Sequence, residues 1–261
     1  MIVTTEAVVL KAMKYRDTSK IVTLYTRAFG RLSVIAKGAR TRNNKFGASL
    51  EPLSRVSAVV YKKEQRDLHL LSQCELLASF RRIPEDIERL ATAMTVIEIV
   101  HAVAHQEERN EELFNLLIQV LETIEGATKN VRNALYSFEM RLSGILGFRP
   151  NLETCLRCGG ILDETRVVPP GAGFDLLHGG VFCTACAQGR RPARTLSPPA
   201  LQVLRTLQRQ VQPVASTSMT LKPEVRTEVA EALRHYLRSH IEVLGDMRSD
   251  EVFASIIQEN H

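Results

Sequence analysis

The sequence predicts an α+β protein: a small five-stranded β-barrel, then a helical body that carries a cysteine-bearing insertion. Three observations point there. Five short runs rich in Val, Ile, Leu and Tyr occupy the first 80 residues, helical periodicity takes over at Ile83, and two Cys-x-x-Cys pairs, "CLRC" and "CTAC", stand at 155–158 and 183–186. The expected division is a barrel domain over 1–80 and a helical domain over 81–261, with an insertion over 150–195.

The strand runs are Glu6 to Ala12, Lys20 to Thr26, Arg31 to Lys37, Arg55 to Lys62 and Leu68 to Leu76, separated by polar or glycine-containing turns. In the third, Leu32, Val34 and Ala36 alternate with Arg31, Ser33, Ile35 and Lys37, the period of two that puts one set inside and the other outside. Five such strands in about 75 residues suit a small closed barrel of either the OB or the SH3-like kind.

Helix signals follow. Pro84 with Glu85, Asp86 and Glu88 opens a first helix, acidic residues meeting the positive end of the dipole. Asn110-Glu111-Glu112 opens a second that Gly126 closes, and a third is expected from Thr128 to Leu146, with Val131, Leu135, Phe138, Leu142 and Ile145 along one stripe. Gly147 and Pro150 stop it. Ser197-Pro198-Pro199 opens a helix to about Val211, Pro223 a longer one to Leu244, and Asp250 to Gln258 a last short turn.

Composition narrows the function classes. Apolar residues make up 44% of the 261 residues, enough for a core, yet no run approaches the roughly 20 apolar residues of a membrane span. The first residues lack a basic leader and run straight into strand-like sequence, so a reducing cytoplasm is expected. The net charge of +5 is unevenly spread: residues 1–80 hold fourteen Lys and Arg against six Asp and Glu, while 81–150 are net acidic and 151–261 balanced. A polyanion partner for the N-terminal part follows from that asymmetry.

The four paired cysteines, Cys155, Cys158, Cys183 and Cys186, raise the question of metal, disulfide or redox chemistry. Disulfides need an oxidising compartment, and a thioredoxin-type pair needs a βαβ setting that is missing here. A zinc ribbon or knuckle pair is the favoured reading, although the gap of 24 residues exceeds the ~15–20 usual for the pattern. Four thiolates fill the tetrahedral shell of one Zn²⁺, so the ion's role is structural: it holds a Gly- and Pro-rich loop with little apolar content of its own. His178 reads as a loop histidine and not a substitute ligand, and Cys74 as a buried inert thiol.

"GRLSVIAKGARTRNNKFG" at 30–47 places Arg31, Lys37, Arg40, Arg42 and Lys45 within fifteen residues without an acid. Cations along a strand and the loop after it can track a phosphate backbone, and Lys20, with Lys11, Lys14 and Arg16, widens the surface. Tyr15, Tyr25, Phe29, Phe46 and Tyr61 are candidate stacking platforms, with core filling the competing reading. No nucleotide-phosphate cradle, nucleophile elbow or metalloprotease helix occurs, and the pair His101 and His105 reads as helix packing. Catalysis is not what these residues point to.

Two longer segments carry a family likeness. "EAVVLKAMKYRDTSKIVTLYTRAFGRLSVIAKGAR" (6–40) resembles the opening of the RecO family of bacterial recombination mediators, and "FEMRLSGILGFRPNLETCLRCGG" (138–160) resembles that family's third helix and first cysteine pair. The resemblance covers nearly the whole chain. It implies an OB-fold barrel, a helical domain with a zinc site, a cytoplasmic, nucleoid-associated setting, and DNA contacts at Arg31, Lys37 and Arg40, with Arg42 and Lys45 in the less regular part. It also implies binding of single- and double-stranded DNA, strand annealing, and work with RecR and single-stranded-DNA-binding protein to load RecA, without nucleotide hydrolysis. The alternatives are a zinc-ribbon protein adaptor whose basic barrel is incidental and, third, a zinc enzyme, which would need an open coordination position.

Overall fold

The computed structural model describes residues 1–63, 66–188 and 194–246; the turn expected over Asp250 to Gln258 lies outside them. The chain forms two compact units, residues 1–125 and 126–247. Among the described residues no helix is long and apolar enough to cross a membrane.

In the first unit β1 (Ile2–Tyr15), β2 (Ser19–Thr26), β3 (Gly30–Ala36), β4 (Arg55–Tyr61) and β5 (Leu68–Ala78) close into a barrel in the order β1-β2-β3-β5-β4. All five expected strands are present, and β1 extends further at both ends than expected. One strand here serves two neighbours: β1 pairs with β4 through Ile2–Val8 and with β2 through Ala7–Tyr15, and a register break between Val9 and Lys11 bends it from one to the other. β3 meets β5 in parallel through Ser33–Ile35, and every other pairing is antiparallel. A closed five-stranded barrel in this order is OB-like, which decides between the two barrel kinds. The alternation in β3 holds as expected: Leu32, Val34 and Ala36 are fully buried, and they share the barrel core with Val9, Val22, Leu24, Val56 and Val60.

Two helices complete this unit. α1 (Ile87–Val103) starts later than Pro84 suggested, because the Asp86 side chain caps it, accepting from the Arg89 amide at 2.8 Å. α2 (Glu111–Gly126) is capped by Asn110, whose side chain accepts from the Leu113 amide at 2.9 Å. Phe114 of α2 packs against Tyr25 of β2 with ring centroids 5.9 Å apart, and the Tyr25 hydroxyl donates to the Asn110 carbonyl. The α1–α2 linker runs beside β3: the Arg31 amide donates to the His105 carbonyl, and the Glu107 amide donates to that of Arg31. Gly30 permits that approach, since a β-carbon there would lie 2.0 Å from the Glu108 carbonyl oxygen.

The second unit opens with α3 (Arg132–Ile145), shorter at its start than expected. Asn130 adopts a left-handed φ of 51°, which breaks the backbone before Arg132. The insertion then differs from the expected loop. β6 (Asn151–Cys155), β7 (Ala172–Asp175), β8 (Gly180–Phe182) and β9 (Arg194–Leu196) form a sheet in the order β6-β8-β7-β9, with the single helical turn α4 (Thr184–Ala187) after β8. Strands of three to five residues are too short to register a period of two.

α5 (Pro198–Arg209) and α6 (Pro223–His240) follow, with 3-10 turns over Pro213–Ser218 and Glu242–Asp246. The Ser197 hydroxyl caps α5, and α6 stops at His240, short of Leu244, because Ile241 turns extended. Leu152, Leu162, Phe174, Val181 and Leu196 of the insertion share one buried cluster with Tyr136 of α3, Leu204 of α5 and Leu233 of α6. Arg205 of α5 ties the same insertion down, donating to the carbonyls of Leu152 at 2.8 Å and Leu162 at 2.7 Å. The insertion is thus built into a helical core, and a metal ion is an addition to that packing.

Candidate nucleic-acid interface and metal centre

Where the β1–β2 hairpin turns, its three loop residues, Arg16, Asp17 and Thr18, lie between the paired Tyr15 and Ser19. The β3–β4 loop crosses this tip. Arg40 donates its backbone amide to the Thr18 carbonyl at 2.9 Å and its Nη1 to the carbonyls of Arg16 and Asp17 at 3.0 and 3.2 Å. Lys14, Arg16, Lys37 and Arg40 are all exposed around this crossing, and Arg42 and Lys45 continue the exposed cations along the loop. Lys45 bends back to the β5 edge, its Nζ 2.5 Å from the Ser72 carbonyl.

Two of the expected contact residues have partners within the protein. Lys20 lies beside the tip, across from Lys14, but pairs with Glu51 at 2.8 Å. Arg31 points toward α1, where its Nη1 donates to the His101 carbonyl at 2.7 Å. Both charges thus already have internal partners.

The aromatic candidates divide in the same way. Tyr25 and Phe46 are only 1% and 4% exposed and fill cores, so they offer no free ring face. Phe29 packs against the barrel core under Lys62. Tyr61 is 41% exposed, but pairs with Ile2 at the far end of β1 from the hairpin tip. Tyr15 stands at the tip itself, partly exposed, with the Arg16 guanidinium carbon 5.3 Å from its ring centroid.

In the second unit the four cysteine sulfurs all lie within 4.8 Å of one another. A tetrahedral ion at ~2.3 Å from each thiolate requires sulfur pairs about 3.8 Å apart, so the set fits a metal with little adjustment. Cys155 ends β6, and its amide and carbonyl close a tight turn with Gly160 and Gly159; Cys183 stands just ahead of α4, which carries Cys186. The Cys183 amide points at the Cys155 sulfur, 3.3 Å away. Burial opposes ionisation of Cys155, but the amides of Cys158, Cys183 and Arg157 outweigh it and bring the thiol down to about 6. Cys186 is pushed up to about 12 by its hydrogen bond with the Cys183 sulfur, then by burial and by the Cys158 and Cys155 sulfurs. Four thiolates this close together repel one another, so holding all four requires a cation among them.

No other group of three or more potential ligand side chains gathers among the described residues. His178 is 77% exposed and bonded to Asp175, as a loop histidine should be, and Cys74 is buried with its thiol pushed up by that burial.

Comparison with known families matches the N-terminal model of recombination protein O to residues 1–80 and its C-terminal model to residues 84–249. The chain belongs to the recombination protein O family. Proteins named DNA repair protein RecO align along its length. The one from Prosthecochloris aestuarii is 33% identical over 264 residues, covering all of both chains. That of Chloroherpeton thalassium is 31% identical, covering 98% of this chain and all of its own, and that of an Anaeromyxobacter species 32% over 90% and 89%.

For a recombination protein O fold, two charge networks of the first unit were not visible in the sequence. Glu6 is clamped by Arg27 at 2.9 Å and Arg55 at 2.5 Å, and these arginines reach on to Glu111 and Glu122 of α2. Glu107, in a left-handed conformation with φ of 59°, joins Lys62 at 2.6 Å to the buried His69 at 2.8 Å. The partners stand 21 to 84 positions apart and meet only in the fold, so spacing carries no signal of either network. Each network consumes cations of the basic N-terminal part, the first in holding the barrel to α2 and the second in holding it to the α1–α2 linker.

Proposed function

We propose that this protein acts in DNA repair and recombination as a non-enzymatic mediator. Residues 1–80 bind single- and double-stranded DNA and bring complementary strands together. With RecR and single-stranded-DNA-binding protein as partners, the protein helps load RecA onto coated single strands. The observation that carries the reading is the cluster of exposed cations, Lys14, Arg16, Lys37 and Arg40, where the hairpin tip meets the β3–β4 loop, continued by Arg42 and Lys45. Such a surface releases counterions from phosphates without reading sequence. Two strands held on it lose mutual repulsion and meet at raised local concentration, which is what annealing requires.

Arg31 and Lys20 enter this reading in a secondary role, since binding to phosphate competes with His101 and Glu51. One Zn²⁺ on Cys155, Cys158, Cys183 and Cys186 fits the donor set. It would neutralise the thiolates and fasten β6 to the turn after β8, with no coordination position left for a substrate. The test is annealing of complementary oligonucleotides, bare and coated with single-stranded-DNA-binding protein, in the absence of ATP. Acceleration of both is expected; no acceleration of either contradicts the reading.

A further inference from the structure

Arg40 takes all three carbonyls of the hairpin loop: Thr18 with its amide, and Arg16 and Asp17 with Nη1. An arginine whose fork is engaged on backbone carbonyls has fewer donors to offer a phosphate. What the clamp holds is unusual. Arg16 adopts a left-handed φ of 50°, sparsely populated for a residue with a β-carbon. In that conformation its guanidinium lies against the ring of Tyr15, and the pair stands in the middle of the exposed cations, Arg16 exposed and Tyr15 partly so. A strained backbone persists where its surroundings over-determine it, and such positions cluster at ligand-binding sites.

We propose that the Tyr15–Arg16 pair is a stacking site for one unpaired base of single-stranded DNA, and that Arg40 is the positioning residue that presents it. The inference rests on the DNA-binding reading above and adds a source of strand preference to it. Phosphate contacts alone favour the denser charge of the duplex, whereas a base inside a duplex has no free face to lay on a ring, so stacking is what can favour the single strand. Tyr25 and Phe46 are buried and Tyr61 lies at the other end of β1, so Tyr15 is the aromatic that shares a surface with the cations.

The chain contains no tryptophan, so Tyr15→Trp creates a single emitter at the site. The full-length variant is titrated with a thymidine oligonucleotide and with an abasic oligomer of equal length, which keeps the phosphates and lacks the bases. Binding itself is followed separately by competition against a labelled strand, read as anisotropy. Quenching by the thymidine strand but not by the bound abasic strand is expected. In the native background, Tyr15→Ala should reduce the thymidine-over-abasic affinity ratio on the order of tenfold, while Tyr15→Phe retains it. Arg40→Ala in the tryptophan background should abolish the quench while lowering the salt slope of abasic binding by no more than the roughly 0.7 of the single phosphate contact Arg40 itself could make. Thymidine binding without quenching, equal quenching by the abasic strand, or an unchanged ratio in Tyr15→Ala overturns the stacking site. Failure of every oligomer to bind overturns the DNA-binding reading itself, and the stacking site with it.

Discussion

The guanidinium of Arg31 donates to the carbonyl oxygen of His101 at 2.7 Å, so a cation from the most basic stretch of the chain is used to close the last turn of α1. A positive charge at a helix C-terminus meets the negative end of the dipole and satisfies a carbonyl that the helix leaves open. Arg31→Ala is therefore expected to cost about 1–3 kcal/mol of stability in urea unfolding. It should shift the salt slope of single-strand binding by well under the ~0.7 of one phosphate contact; a full ~0.7 lost at unchanged stability would place Arg31 on the phosphate instead.

Lys37 and Arg42 are exposed on the loop that crosses the hairpin tip. Replacing both with Ala should weaken single-strand binding uniformly across sequences and reduce the slope of log affinity against log salt by about 0.7 for each phosphate no longer neutralised. A sequence-dependent weakening would show that these residues read bases.

One metal ion per chain is expected by elemental analysis, and Cys155→Ser or Cys183→Ser should remove it, because both residues are buried and joined by the amide-to-sulfur hydrogen bond. Removal of the ion should lower stability by on the order of 4 kcal/mol. Cys74→Ser should retain the metal; if it does not, the four-cysteine site is misassigned.

Acid should loosen the first unit through Glu6. Burial raises its carboxyl, but the hydrogen bonds from Arg27 and Arg55 outweigh burial and hold it below the usual value of 4.5. A depressed folded value means that the stabilisation is fully present above about pH 4.5 and is lost as the pH falls through the lower folded value. Glu107 acts with the same sign, its largest cause being the Lys62 hydrogen bond. Glu6→Gln should cost about 1–2 kcal/mol at pH 7 and flatten the fall in stability below about pH 4.5, measured by denaturant midpoint. An equally steep acid response in the variant would contradict this assignment.

The barrel was legible because Leu32, Val34 and Ala36 alternate over a strand long enough to show it, and the cysteine pairs because close spacing is itself the chemistry. β6 to β9 were not legible: three to five residues present no period, and their burial comes from helices α3, α5 and α6. The basic segment stands out in the sequence, but its division into free and engaged charges does not. Whether Arg31 faces DNA or His101 depends on where a helix 70 residues away ends. Tyr25, a plausible platform by composition, is claimed by Phe114 of α2. Local pattern reveals strands and ligand pairs; side-chain partners are set by tertiary placement.

The most direct test of the central claim is the affinity of the purified protein for a single-stranded oligonucleotide across a salt series. If the exposed cations around the Arg40 crossing grip phosphates, affinity falls steeply, with a log-log slope of about −0.7 for each phosphate neutralised and several neutralised at once. A flat line, or no binding at the lowest salt, would contradict it.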